Sequence, residues 1–298
     1  MRMLLGVVLA ALAFASSARA EDTLRIAVGQ RGLWDTSVAE LGQRGGIFKK
    51  HGIVLDILYT QGGGETQQAV ISGSVELGSS AGALGVFGAY AKGAPLRIIG
   101  AEMTGGGDLY WYVQSSSAIR SLADIDGKTI AYSTNGASTH AIVNAFLRQY
   151  EVKAKPVATG SPAATLTQVM SGQVDVGWAG PPFGLDLIDQ GKIRIIASGN
   201  DATALRNQTV RLLIANAATL AARRPAIARF MAAYRETVDW MYSDPAVFKH
   251  YSDFIGVSEA TGRRGRDGFY PKPALDPDTI VTPGAFVTAV IQRAADGR

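Results

Sequence analysis

The stretch VISGSVELG at residues 70–78 recurs in character as VMSGQVDVG at residues 169–177. Each copy joins an apolar helix end, a Ser-Gly stop and a short strand. Helix–turn–strand units of this kind are typical of folds in which helices cover a mainly parallel sheet. Two copies about 100 residues apart therefore predict two lobes of similar construction. The alternative is a chance likeness between two ordinary βα turns.

Strand and helix patterns alternate through the rest of the chain, which predicts an α/β fold with βαβ units. A loop of small residues is expected at 78–82, directly after the third strand. The predicted strands are 24–28, 53–58, 74–77, 96–101, 109–113, 129–132, 174–178, 193–197 and 209–215. The predicted helices are 34–44, 65–71, 84–91, 138–150, 161–170 and 223–242.

The first 20 residues have the order of a secretory signal peptide. A short basic start at Met1–Met3 precedes an apolar run at Leu4–Ala15, and Ala18-Arg19-Ala20 forms a small-residue cleavage site before Glu21. The apolar run is shorter than the roughly 20 residues that span a bilayer. We therefore expect residues 1–20 to be removed and the protein to be periplasmic. A retained membrane anchor is the alternative.

Composition excludes several classes of function. Without residues 1–20 the chain has 27 basic and 25 acidic residues, a balance that gives no reason to expect a nucleic-acid partner. No second long apolar run follows, so stable membrane insertion is not expected. The chain has no cysteine, which excludes disulfides, thiolate zinc sites, cysteine nucleophiles and a lipid anchor on cysteine.

Polar and glycine-rich loops follow several predicted strands. In open α/β sheets, ligands bind beyond the carboxyl ends of the strands, where helix N-termini offer unpaired N–H groups. The loop Ser133–His140 is the strongest candidate because it carries several donors in sequence. Turn and cap chemistry, or core packing for Trp34 and Trp178, is the alternative reading of each residue. The candidate ligand-binding residues are Gln30, Trp34, Gly63, Gly64, Ser79, Ser80, Thr134, Asn135, Ser138, Thr139, His140 and Trp178.

Catalytic and metal-binding patterns are weak in this sequence. The three histidines are far apart, and no His-x-x-x-His pair is present. The stretch Gly78–Gly82 resembles a Gly-x-Ser-x-Gly elbow only loosely. Gly62-Gly63-Gly64 is not followed by Gly-Lys-Ser/Thr, so it is not a nucleotide phosphate loop. We expect no catalytic residues, no metal site and no cofactor.

Several segments, taken in their order along the chain, resemble the periplasmic binding proteins of the nitrate/sulfonate/taurine and thiamine-precursor importer group. The likeness runs from Leu24 to about Tyr242, and the order and spacing of its pieces are specific. They are Gly29 with Trp34, Gly46–Ile53, Gly62–Val70, Ser72–Gly78, Lys92–Leu96, Ser121–Thr129 and Ser171–Val176.

The resemblance implies a two-lobed periplasmic binding protein of type II, each lobe a mainly parallel sheet flanked by helices. Lobe I would comprise residues 21–104 and 200–298, and lobe II residues 105–199. Two crossings, near Ala101–Gly107 and Ala197–Asp201, would join the lobes and let them close on a ligand.

The resemblance also implies a non-enzymatic, monomeric importer component whose ABC permease and ATPase are encoded separately. Its ligand would be a small organic anion, such as a sulfonate, taurine, nitrate or a carboxylate, or a small heteroaromatic molecule. Two other classes stay open. One is a ligand-sensing protein that docks to a membrane sensor, and the other is a secreted enzyme, which the lack of catalytic motifs disfavours.

Overall fold

The computed structural model describes residues 21–282, so the predicted signal peptide at 1–20 and the last 16 residues lie outside the described part. Its ten strands are β1 (Asp22–Gly29), β2 (Ile53–Thr60), β3 (Leu77–Gly82), β4 (Leu96–Thr104), β5 (Tyr110–Gln114), β6 (Thr129–Tyr132), β7 (Lys155–Ala158), β8 (Gly177–Ala179), β9 (Ile193–Ser198) and β10 (Thr209–Asn216). The α-helices of this part are α1 (Val38–Arg44), α2 (Ile47–Lys50), α3 (Gly63–Ile71), α4 (Ala83–Ala91), α5 (Ser138–Gln149), α6 (Pro162–Met170), α7 (Leu185–Asp189), α8 (Ala217–Ala222), α9 (Arg224–Ser243), α10 (Val247–Ile255) and α11 (Glu259–Phe269). Between residues 21 and 282, no helix is both long and apolar enough to cross a membrane.

The first sheet has the strand order β2-β1-β3-β10-β4. Strand β1 pairs in parallel with β2 and β3, whereas β10 is antiparallel to both of its neighbours, β3 and β4. Four of the five strands therefore run in one direction, as a mainly parallel sheet requires.

The second sheet repeats this arrangement. Strand β5 is antiparallel to β8 and β9, and β6 pairs in parallel with β7. A parallel bridge between Ile130 and Val176 joins β6 to the start of β8, which gives the order β7-β6-β8-β5-β9. In both sheets the reversed strand lies next to the last position. This confirms the predicted α/β architecture of two mainly parallel sheets.

The two repeated stretches occupy matching places in the two sheets. Helices α3 and α6 end just before Ser72 and Ser171, and the residues after these serines, Gly73 and Gly172, both have a φ of 75°. A left-handed φ costs glycine little, so a Ser-Gly pair stops each helix. The acidic residue of each stretch then accepts a bond from the neighbouring strand. Glu76 accepts from the backbone N–H of Arg25, and Asp175 accepts from that of Thr129.

Two chain crossings connect the sheets. Residues 105–109 lead from β4 to β5, and residues 199–208 lead from β9 back to β10. The second crossing is longer than the sequence predicts, because a short 3-10 helix (Gly199–Asp201) and further turns follow β9. Backbone bonds hold the two crossings side by side, from Gly105 to Gln208 and from Gly199 to Leu109, each 2.8 Å long. The lobe boundaries at 104/105 and 199/200 stay a prediction.

Each sheet has a buried aromatic core. Helix α9 packs on α1 and α2 beside the first sheet, where the rings of Phe48 and Phe230 stack with centroids 5.6 Å apart. In the second sheet, the indole of Trp111 meets Phe146 of α5 edge-on at 5.0 Å. All four side chains are fully buried, and each such burial stabilises the fold by roughly 1.5–3 kcal/mol or more.

The prediction for residues 74–82 is wrong. The expected loop at 78–82 is the central strand β3, and the strand expected at 74–77 begins only at Leu77. Small residues form a strand here because helices pack closely on it. A Cβ on Gly78 would lie 2.9 Å from side-chain atoms of both Thr66 and Val70. The sequence lacks the β-branched residues that usually indicate a central strand.

Candidate functional site

A small polar cavity lies where the loops of the two sheets meet. We call it the polar cavity, and it unites six of the predicted site residues: Gln30, Gly63, Ser80, Ser138, Thr139 and Trp178. Its other lining residues are Leu33, Leu109, Ser133, Ala137 and Arg211. The volume is about 20 Å³, enough for roughly one water molecule. These residues come from the ends of strands in both sheets and from the starts of α3 and α5.

Two helix N-termini open directly on the polar cavity. Helix α3 begins at Gly63 and α5 begins at Ser138, and neither cap residue, Gly62 or Ala137, supplies a side-chain bond to the first turn, although the Thr134 hydroxyl accepts from the Gly64 N–H of α3. In contrast, Ser161 caps α6 and Ser258 caps α11 through side-chain hydrogen bonds. Uncapped N–H groups and the positive end of the helix dipole favour an anion. The glycine and alanine at the two cap positions thus leave backbone donors for a ligand.

Side-chain donors add to these backbone groups. The indole Nε1 of Trp178 is buried and has no hydrogen-bond partner within residues 21–282. In the same part of the chain, no hydrogen bond involves the Ser138 hydroxyl, which also lines the cavity. A buried donor left unpaired costs free energy, so the Trp178 indole gains from a ligand rich in acceptor atoms, and the Ser138 hydroxyl offers a second donor beside it.

The other members of the Ser133–His140 loop mainly bond to one another. The Thr139 hydroxyl lies 2.8 Å from the Ser133 hydroxyl and accepts from the Ser133 N–H at 3.0 Å. Asn135 is exposed and accepts from the Tyr132 hydroxyl. His140 stacks on Tyr132 with centroids 4.4 Å apart, and partial burial lowers its pKa. These bonds are the turn chemistry of the alternative reading, and ligand contact by these residues stays a prediction.

Direct contacts connect the loops of the two sheets. The N–H of Gly64 donates to the Thr134 hydroxyl at 3.0 Å, and Gln67 donates through Nε2 to the Gly136 carbonyl at 3.2 Å. A Cβ on Gly64 would lie only 2.0 Å from the Asn135 carbonyl oxygen. Gly64 thus permits close approach of the loops of the two sheets.

Trp34 and Ser79 lie outside the polar cavity wall. The Trp34 indole is buried among aromatic side chains of the first core, stacked on Phe248 at 5.5 Å and edge-on to Tyr251 at 5.0 Å. It therefore has the core-packing role that was the alternative for this residue. Ser79 does not line the cavity either, and its hydroxyl donates to Glu102 Oε2 at 2.9 Å.

Backbone strain marks two residues of the cavity wall. Gln30 has a φ of 83° and Ser80 a φ of 62°, in a region that non-glycine residues rarely adopt. Each conformation is supported by bonds from the surroundings. The Gln30 side chain donates to the Gln61 carbonyl, and the Ser80 N–H donates to the Glu102 carboxylate. Such fixed strain is common at binding sites.

A buried charged cluster behind the cavity was missed by sequence reasoning. Arg211 of β10 is 2% exposed, with Nη2 2.6 Å from Asp108 and Nε 3.0 Å from Asp35. Glu102 is also buried, and its burial, together with the Asp35 charge, raises its pKa to about 8. Arg211 stays protonated because Asp108 and Asp35 outweigh the effect of burial on its pKa. The only sequence signal was an arginine inside the otherwise apolar run of β10.

Comparisons with known proteins identify the family. The chain is 28% identical over 141 residues to an Escherichia coli (strain K12) protein named for binding aliphatic sulfonates, and it spans less than half of that relative. The alkanesulfonate-binding protein SsuA from Xanthomonas axonopodis pv. citri, solved with MOPS, has a TM-score of 0.75 at 23% identity, covering 92% of this chain and 91% of SsuA. The periplasmic nitrate-binding protein NrtA from Synechocystis PCC 6803 has a TM-score of 0.64 at 14% identity, covering 80% of this chain and 68% of NrtA. These structures share the fold of periplasmic binding proteins. The model of the NMT1/THI5-like family matches residues 40–247, so the chain belongs to that family.

Proposed function

We propose that this protein is the periplasmic substrate-binding component of an ABC importer and captures a small organic oxyanion, a sulfonate above all, in the polar cavity. It delivers that ligand to a permease and does not change it chemically. The observation that carries the proposal is that the N-termini of α3 and α5 face one cavity from two sheets and have no side-chain bond from their own cap residues.

The donors of the polar cavity support an oxyanion over a cation. Backbone N–H groups, the Trp178 indole and the Ser138 hydroxyl all donate, whereas the buried carboxylates lie behind the cavity wall. Arg211 lines the cavity, but it pairs with the two carboxylates of Asp35 and Asp108 and so gives the cavity no net positive charge. Recognition would therefore depend mainly on neutral, oriented donors, which suit the three acceptor oxygens of a sulfonate.

Capture requires motion of the two sheets. The polar cavity now holds roughly one water, and the Gly64–Thr134 bond closes its edge. The paired crossings at 105–109 and 199–208 are the natural hinge. Opening would admit the ligand, and closing would place it between the helix N-termini of both sheets.

A thermal-shift and calorimetry series on residues 21–298 tests the ligand class. Ethanesulfonate, taurine and nitrate are compared with ethyl methyl sulfone, which has a similar shape but no charge. A ligand at 100 times its Kd stabilises the native state by about 2.7 kcal/mol, so the midpoint temperature of thermal unfolding should rise by several degrees. If no oxyanion raises the midpoint, or if the sulfone raises it equally, the proposal is wrong.

A matched pair of variants localises the site. Ser138→Ala with Thr139→Ala should weaken sulfonate binding at least tenfold, because hydrogen bonds to a charged group contribute about 1.5–3 kcal/mol each. Ser161→Ala removes the cap of α6, outside the polar cavity. It should lower stability by about 1 kcal/mol and leave affinity unchanged. Equal affinity of the double variant and the parent protein would place the ligand elsewhere.

A further inference from the structure

A second and much larger cavity lies on the flank of the junction between the two sheets. It has a volume of about 690 Å³ and is bounded by α6, the segment 182–189 and the turn between α10 and α11. We call it the apolar pocket. Its wall is mainly hydrophobic, formed chiefly by Leu166, Pro182, Phe183, Leu187, Ile255 and Val257. A volume of this size suits a small organic molecule.

The loop at residues 30–33 separates the apolar pocket from the polar cavity. Gln30 and Leu33 line the polar cavity, whereas a Cβ on Gly32 would lie 3.2 Å from Ile255 and 3.3 Å from Phe183 in the wall of the apolar pocket. Because one loop contacts both spaces, the two cavities are neighbours but not one continuous site.

One polar group in the apolar pocket has no partner. Tyr112 lines the pocket and is 1% exposed, and within residues 21–282 its buried hydroxyl makes no hydrogen bond. The nearby Tyr110 hydroxyl, in contrast, donates to the Phe183 carbonyl. Burial raises the pKa of Tyr112, so its hydroxyl stays neutral and both donates and accepts. The hydroxyl oxygen itself has almost no accessible surface and lies beside Gly177, so a ligand gives it a partner once a small shift of the surrounding side chains brings it to the pocket surface.

Charge at the pocket entrance disfavours an anion. Arg264 is neutralised by Asp189, with Nη1 2.5 Å from Oδ2, and Asp186 leaves one negative charge in excess among the lining residues. An oxyanion of the kind proposed for the polar cavity would find no unpaired cation among these lining residues. A neutral molecule needs no such partner and would gain from the hydrophobic wall.

We propose that the apolar pocket is a second binding site, which takes a neutral and mainly apolar molecule of one or two rings. A single polar group of this molecule exchanges a hydrogen bond with the Tyr112 hydroxyl. The site is independent of the oxyanion site and does not rest on its ligand. Since the wall combines α6 and α7 with α10 and α11, an occupant contacts the helices that flank both sheets.

The test uses N-phenyl-1-naphthylamine, a neutral two-ring amine whose fluorescence rises in apolar surroundings. Saturable binding with one site is expected. Ala163→Trp should abolish it, because residue 163 is exposed and lines the pocket, so an indole fills the space without disturbing the core. Thr167→Trp is the matched control, exposed on the same helix but not in the pocket wall, and should bind as the parent protein does.

Tyr112→Phe isolates the hydroxyl. It should weaken binding of the probe about three- to tenfold, the range of one neutral hydrogen bond. Its unfolding midpoint should not fall, since the lost group has no partner in the described structure. Full affinity in Tyr112→Phe or in Ala163→Trp would overturn the site. So would competition by ethanesulfonate or loss of binding in Ser138→Ala with Thr139→Ala, because the probe would then occupy the polar cavity.

Discussion

The polar cavity and the apolar pocket lie on either side of one loop but are built in opposite ways. The polar cavity is tight, surrounded by fixed donors and connected to the buried Arg211 cluster. The apolar pocket is wide and hydrophobic, with its Arg264–Asp189 ion pair on the surface. From this difference we expect burial, more than residue type, to decide how much an arginine and its carboxylates contribute to stability.

The strongest test of this comparison is to replace the arginine in each region and measure stability. Arg211→Leu would leave Asp35 and Asp108 buried without a counter-charge, so we expect a loss of about 3–5 kcal/mol in the free energy of unfolding. Arg264→Leu removes a pair whose side chains are 51% and 54% exposed, and it should cost no more than about 1 kcal/mol. Urea unfolding of both variants measures the difference. Similar losses would mean that burial does not separate the two regions.

A pH series sharpens the comparison further. The pKa of Glu102 is about 8 in the folded protein, above the value of 4.5 for an ordinary glutamate, so folding takes up a proton between these values. Stability should therefore fall as pH rises from about 5 to 8, by up to about 1.4 kcal/mol per pH unit.

Glu102→Gln should flatten this dependence while keeping an acceptor for Ser80. The difference between the two curves is the quantity to compare, because His140 is common to both proteins. Its lowered pKa acts in the opposite direction, as stability is lost when pH falls. Parallel curves for the two proteins would show that Glu102 is ionised when folded at neutral pH.

The smallest expected effect concerns closure of the polar cavity. Gly64→Ala puts a methyl group 2.0 Å from the position of the Asn135 carbonyl oxygen, so the two loops cannot meet as they do now. Sulfonate affinity should fall about tenfold with little change in stability, and small-angle scattering should show a less compact bound form. Gly88→Ala in α4 is the control, since its Cβ meets nothing within 4 Å. An equal affinity in both variants would count against closure on the ligand.

The elements that sequence predicted well are those with strong local signals. Strand β6 lies at 129–132 as expected, and α5 ends one residue early, because a polar start and a regular apolar face define such elements locally. The edge strand β7 was missed, since it is short, partly exposed and contains Pro156. The sequence predicts a loop in place of strand β3, because tertiary packing, not propensity, makes its small residues extended.

The candidate site divides in the same way, into residues with a local sequence signal and residues placed by distant contacts. Loops after strands pointed to Gln30, Ser80 and Ser138, since topology alone brings strand ends together. The place of Trp34 could not be predicted, because Phe248 and Tyr251, which enclose it, are more than 200 residues away along the chain. Arg211 could not be connected to Asp35 or Asp108 either, as no sequence pattern joins residues so distant.

The pairing of the two crossings makes the second sheet an insertion whose ends meet. Thr104 and Thr209 are ladder partners, with their hydroxyl oxygens 3.1 Å apart. Residues 105–208 could therefore be excised and replaced by a short glycine linker, or exchanged for the same segment of a relative, without lengthening any connection of the first sheet. Such grafting would let new ligand specificities be assembled by exchanging one half of the molecule.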